Sequence, residues 1–173
     1  MTKLNALAGV VHKSAILNQD GISVNVLHED VCLPAVVVKR NELENNIAWM
    51  QHYSNVANVS LSPHGKTTMT PAIFKRQIAQ GAWGLSVGTA YQAKVAVESG
   101  VKNIIIANQV VGKSNIRLLA ELVQLNQANI YCCVDNVIHA KQLAAIFSSL
   151  DLTINVLIEL GVNGGRCGCR SEE

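Results

Sequence analysis

Short apolar runs alternate with amphipathic stretches along most of this chain, and that alternation restricts the fold more than any other feature. The runs Ala35–Val38, Val59–Leu61, Trp83–Val87, Asn103–Ala107, Ile130–Val134 and Ile154–Glu159 are brief and largely apolar. Their starts recur about every two dozen residues, the repeat expected of a strand plus a crossover helix. A run that is apolar at nearly every position suits a strand covered on both faces. Between the runs lie helical patterns: Leu43, Ile47 and Met50 within 41–53, Ile73, Phe74, Gln77 and Ile78 within 71–80, and a further helix over 90–99. Two more carry Ile116, Leu119, Leu122 and Val123, then Val137, Ala140, Ala144 and Phe147.

The punctuation agrees with these elements. Thr70 stands as N-cap before Pro71 at the first helical position, Gly81 and Gly100 stop two helices, Ser114 caps one, and Asp135 or Asn136 caps the next. The alternation predicts an α/β fold on a parallel sheet, either an open doubly wound sheet or part of a (β/α)8 TIM barrel. A complete barrel takes about 250 residues and eight strands. About six βα units are expected here, so a barrel would be incomplete. Residues 1–33, with a weak helical pattern (Leu4, Leu7, Ala8, Val11) and then alternating Ile22, Val24 and Val26, read as an N-terminal extension to the repeat in 34–173.

Composition removes several function classes. At 173 residues and 49% hydrophobic content the chain can bury one core, while a net charge of +2 without a basic run gives no nucleic-acid surface. No apolar stretch reaches the length of a membrane span. Leu4–Val11 is interrupted by Asn5 and ended by His12-Lys13 without a small-residue cleavage site, unlike a signal peptide. Cys32, Cys132, Cys133, Cys167 and Cys169 are odd in number and lack the spaced pairs of a zinc site. They read as reduced thiols of a cytoplasmic protein, and no metal site is expected in the chain.

Chemistry concentrates in Ser62-Pro63-His64-Gly65-Lys66-Thr67-Thr68, at the mouth of a strand-to-helix turn, where α/β proteins place their reactive groups. Gly65-Lys66-Thr67 resembles the end of a phosphate-cradling loop, but Ser60 stands where that motif requires its first glycine. Lys66 can instead be an amine that condenses with an aldehyde such as that of pyridoxal phosphate. A solvated lysine capping a loop is the third reading.

Five motifs, in order and at comparable spacing, resemble the D-serine dehydratase and D-threonine aldolase family of fold-type III pyridoxal-phosphate enzymes, relatives of alanine racemase. They are Leu33-Pro34-Ala35-Val36-Val37-Val38, Pro63-His64-Gly65-Lys66-Thr67-Thr68, Gln80-Gly81-Ala82-Trp83-Gly84, Ala107-Asn108-Gln109-Val110-Val111-Gly112 and Gly164-Gly165-Arg166-Cys167-Gly168. The bacterial members called amino acid deaminases or D-serine deaminases are the nearest in pattern, and the likeness spans 33–170. It implies pyridoxal 5'-phosphate as cofactor, Lys66 as the residue that forms the Schiff base, and Arg166 as a hydrogen-bond partner of the cofactor's phenolic oxygen. It also implies His64 as a partner of lysine or cofactor, although a structural histidine bonded to nearby backbone fits that position equally. Asn108 and Gln109 would either face the pocket or satisfy loop backbone.

The implied reaction is loss of a β-hydroxyl from a D-amino acid to give a keto acid and ammonia, with retro-aldol cleavage as the alternative and a non-catalytic carrier of the cofactor as another. The resemblance further implies a homodimer for the full-length family. Its enzymes are about twice as long, and their phosphate anchor, substrate-side groups and metal ligands lie beyond the matched region. An N-terminal part, inactive alone and with unpaired strand edges, is the expectation that follows.

Overall fold

The computed structural model describes residues 25–30, 32–34 and 36–170. The expected helical pattern over Leu4–Val11 and the alternation at Ile22 and Val24 lie outside them. The chain divides into two units, Met1–Tyr53 and Ser54–Glu173. In the first, a 3-10 turn spans Val26–His28, and the Leu27 N–H donates to Oδ1 of Asn25 at 2.9 Å. Helix α1 (Arg40–Val56) starts in this unit and continues past Tyr53.

Residues 36–39 hold no strand. The strand expected over Ala35–Val38 is thus not formed in its described part. β-Branched side chains favour extended backbone, but a strand exists only where a partner supplies its ladder, and parallel partners are distant in sequence.

The second unit is a run of βα elements: α2 (Pro71–Ala79), β1 (Leu85–Val87), α3 (Ala90–Glu98), β2 (Asn103–Gln109), α4 (Lys113–Gln124), β3 (Asn129–Val134), α5 (Val137–Ser149) and β4 (Asn155–Ile158). The strands form one parallel sheet in the order β1-β2-β3-β4, with Leu85 opposite Ile104, Ile104 opposite Ile130 and Tyr131 opposite Asn155. The segment expected as a strand near Leu61 lies beside β1 but forms no continuous ladder with it, only an isolated parallel bridge between His64 and Ser86. Trp83 N–H donates to Leu61 O (2.8 Å), Ser86 N–H to Pro63 O (2.8 Å) and Gly65 N–H to Ser86 O (2.7 Å).

Sheet order separates the two candidate architectures. A doubly wound sheet reverses its strand order at a switch point, whereas this one never does. Right-handed crossovers in an unreversed order place every helix on the same face, which is the construction of a (β/α)8 barrel wall. The core follows from it. Leu85, Val87, Ile104, Ile106, Ile130 and Cys132 point to the helices and join Ala93, Val97, Ile116, Leu119, Leu143 and Phe147 in one buried cluster. Each large member contributes about 1.5–3 kcal/mol over its exposed state.

The opposite face is only half covered at Ser86, Ile105 and Tyr131, and β4 is exposed along its length. Burial on both faces therefore does not hold, because four strands wall off only part of a barrel interior. An apolar groove of about 680 Å³ runs between α5 and β4, lined by Val137, Ala140, Ala144, Val156 and Ile158 among others. Ala140 and Ala144, expected in the core, face this groove. The buried stripe of α5 is instead His139, Leu143 and Phe147, spaced four apart.

One of the two expected cap candidates of α5 is the cap, and the cap of α4 differs. Asn136 caps α5, its Oδ1 accepting the His139 N–H at 2.8 Å. The cap of α4 is Gly112 rather than Ser114, because Gly112 has a φ of 88°, which side chains rarely tolerate, and the helix begins one residue later.

Candidate active site

The turn carrying Lys66 is held from below. Gly65 is buried between Leu85 and Phe74, its N–H is tied to β1, and its carbonyl accepts the Met69 N–H at 2.9 Å. The chain then passes Thr70, whose hydroxyl donates to Thr68 O at 2.7 Å, and enters α2 at Pro71. That helix begins five residues after Lys66. The Gly65–Thr67 amides therefore do not open a helix N-terminus, and the phosphate-loop reading loses its physical basis.

His64 lies on the same turn. Its Nδ1 accepts the Lys66 backbone N–H at 3.0 Å, a bond within the loop that requires the ring nitrogen unprotonated. Partial burial first, then the positive charge of Lys66, and more weakly that of Arg166 hold its pKa below 6.5, against an opposing backbone hydrogen bond. The fields of Lys66 and Arg166 both reach His64. His64 and Lys66 thus share one turn, and Arg166, four strands later in the chain, comes within electrostatic reach of His64.

Lys66 leans across the end of β1. A Cβ placed on Gly88, the residue after that strand, would stand 3.4 Å from Lys66 Cδ. Gly88 is held by its own N–H donating to Gln92 Oε1 (2.8 Å). Among the described residues no acidic side chain pairs with the Lys66 amine.

A second cluster sits at the ends of β2, β3 and β4. The register of β2 against β3 shifts between Ile106 and Gln109, and this irregularity re-aims the end of the strand. Asn108 Nδ2 lies 3.5 Å from Gly88 O, at the limit of a hydrogen bond, so its amide serves loop backbone. Gln109 Nε2 donates to Asp135 Oδ2 and to Glu159 Oε2, both at 3.0 Å. Cys133 lies among these groups, and its thiol is pushed up by burial, then by the charges of Glu159, Cys167 and Asp135. Cys132, on the core face, is pushed up to about 11 by burial and by Cys133.

The glycine-rich loop after β4 folds back onto this cluster. Leu160 and Cys169 form a parallel bridge, Cys169 N–H donates to Glu159 O (2.8 Å), and Gly161 N–H donates to Cys169 O (2.9 Å). Gly168 has a φ of 95° and lies against the Gly161 backbone too closely for any Cβ. Arg170 fills the inside of the loop, donating to the carbonyls of Gly165 (2.7 Å), Cys167 (2.6 Å) and Gly168 (2.6 Å).

Sequence reasoning did not single out Gly88, Asp135, Glu159 or Arg170 as site residues. For the first three the available signal was position: each is the first residue after a strand, where a barrel gathers its chemistry. The groove between α5 and β4 is predominantly apolar, and Lys66 is not among its lining residues.

Comparison with known proteins places this geometry. No family model matches the chain. Over 135 residues, 78% of the chain, it is 35% identical to a D-threonine aldolase of an Arthrobacter species, covering 35% of that protein. Over 142 residues, 81% of the chain, it is 30% identical to the D-threo-3-hydroxyaspartate dehydratase of a Delftia species, covering 36% of it. The crystal structure of D-threonine aldolase from Filomicrobium marinum superposes with a TM-score of 0.76 at 35% identity, over 82% of this chain and 38% of that one. An alanine racemase-like protein from Idiomarina loihiensis shares the fold, with a TM-score of 0.69 at 19% identity over 84% of this chain and 39% of that one. The chain therefore spans little more than a third of the length of the relatives it matches.

Proposed function

Since this chain is a relative of D-threonine aldolase and D-threo-3-hydroxyaspartate dehydratase, of the alanine racemase-like, fold-type III family, we propose that it forms the lysine-bearing part of a pyridoxal-phosphate lyase of β-hydroxy D-amino acids. The observation that supports the reading is the Lys66 turn bonded to β1 at the end of a barrel-type sheet, with the charge of Arg166 reaching His64 on that turn. The relatives' names favour retro-aldol cleavage at least as well as dehydration. D-serine as the particular substrate gains no separate support.

The residues present fit the cofactor. Gly88 leaves the lysine stem its path over β1, and an amine with no acidic partner among the described residues suits an anionic aldehyde. Lys66 would hold the group and Arg166 would face its phenolic oxygen. When bound, pyridoxal phosphate supplies an electron sink for the electrons left at the substrate Cα. Lys66 Nζ would carry the proton taken from that carbon. His64, neutral near pH 7, keeps the lysine turn in shape by accepting the Lys66 amide.

Incubating the chain with pyridoxal phosphate, reducing with borohydride and mapping peptides tests the assignment. The added mass is expected on the Lys66 peptide, saturating at low cofactor, and absent in Lys66→Ala. Uniform labelling of all exposed lysines refutes it. For substrate chemistry, glycine plus an aldehyde marks cleavage, and ammonia plus a 2-oxo acid marks dehydration.

A further inference from the structure

The amide of Gln109 spends both of its N–H bonds on carboxylates from two neighbouring strand ends. One goes to Asp135 Oδ2 and the other to Glu159 Oε2, each at 3.0 Å. Two acids brought this close repel each other, and a donor shared between them offsets that repulsion. Their oxygens accept further bonds. Asp135 Oδ1 accepts from Asn136 Nδ2 (2.8 Å), Asp135 Oδ2 also accepts the Gly168 N–H (3.3 Å), and Glu159 Oε1 accepts the Cys167 Sγ–H (3.1 Å). The Cys169 thiol donates to Asp135 O at 2.9 Å. The carboxylate network therefore ends on two consecutive residues, 167 and 168, directly after exposed Arg166, while Cys169 is held by the Asp135 main chain.

We infer that Gln109 is a positioning residue: by fixing the carboxylates of Asp135 and Glu159 it anchors residues 167 and 168, and so sets where Arg166 stands relative to Lys66. The inference deepens the proposed function and rests on it only for what Arg166 does there. The anchoring itself is a property of this chain. A glycine-rich segment has no intrinsic reason to hold one conformation, since its backbone is the freest of any sequence. Arg170 gives the loop an inner template, but every one of its partners belongs to the loop itself. Side-chain ties from the loop to the rest of the sheet pass through Asp135 and Glu159.

Limited trypsin digestion reads this directly, because Arg166 is a cleavage site within the anchored segment. In Gln109→Ala and in isosteric Gln109→Glu, cleavage after Arg166 is expected to accelerate at least about tenfold, the scale of one charge-assisted hydrogen bond lost. Cleavage at Arg117 in α4 and Lys141 in α5 should stay unchanged. The double variant Gln109→Glu with Glu159→Gln restores the amide–carboxylate bond between the two positions but not the one to Asp135, and should bring the rate to a value between those of Gln109→Glu and the parent.

An unchanged rate at Arg166 overturns the inference. So does a proportional rise at all three sites, which would make the network a general support of the fold. Borohydride labelling of Lys66 by pyridoxal phosphate gives the second readout. Weaker saturation in step with loop release supports positioning of Arg166 toward the cofactor. Loop release with undiminished labelling upholds the anchor and removes Arg166 from the proposed function.

Discussion

Adding a single methyl group at Gly65 should disturb both stability and site. A Cβ there would lie 2.8 Å from Leu85 Cδ2, 2.9 Å from Phe74 Cε1 and 3.1 Å from Leu85 Cγ. Carbon atoms settle about 3.5–4.0 Å apart, so the methyl has to gain several tenths of an ångström against two neighbours at once. Leu85 and Phe74 are both 0% exposed and belong to the main core cluster, so neither can swing into solvent. The movement falls on the turn, and Lys66 is the next residue.

Overpacking of this kind costs about 1–3 kcal/mol. With a urea slope of about 2 kcal/mol per molar, a cost of about 2 kcal/mol lowers the unfolding midpoint by about 1 M. Urea titration followed by tryptophan fluorescence measures it. Leu85→Ala alone should cost about 2–5 kcal/mol, and less in the Gly65→Ala background, where the vacated space accepts the methyl. A coupling of about 1–3 kcal/mol is expected from the cycle. Strict additivity, or a Gly65→Ala midpoint equal to the parent's, would refute the packing argument.

Two further outcomes follow from single hydrogen bonds. Asn136→Ala removes the cap of α5 and should cost about 1 kcal/mol in urea unfolding, with Asn136→Ser recovering much of it, since Ser keeps an acceptor for the His139 N–H. His64 has a folded pKa below 6.5, so the unfolded chain binds the proton more readily. Stability is then fully present above about pH 6.5 and falls as pH drops through the lowered folded value. Midpoints measured between about pH 5 and 7 should show that slope, and His64→Gln should remove its part of it.

How much of this was legible beforehand depends on the range of the interaction concerned. Helices announced themselves through local pattern and punctuation. Pro71 sits at the start of α2, Gly81 and Gly100 follow their helices with positive φ, and Ile116, Leu119 and Leu122 are buried as their spacing requires. The face of α5 was misread because alanine counts as apolar wherever it stands, whereas His139 is buried with Nε2 3.0 Å from Val110 O. A buried histidine has no periodic signature. The run 35–38 was overread for the complementary reason, since extended propensity names no partner.

The one-dimensional pattern determined that this is a parallel βα repeat and that Lys66 lies on a turn just before a helix, because periodicity and turn chemistry act between residues a few positions apart. Only the tertiary structure decided that the sheet keeps barrel order, that Arg166 comes within electrostatic reach of His64, and that Gln109 links Asp135 to Glu159. Those are contacts between strand ends separated by whole helices. Their partners are chosen by the register of the sheet and the close approach of Gly168 to Gly161, neither of which any local stretch of sequence encodes.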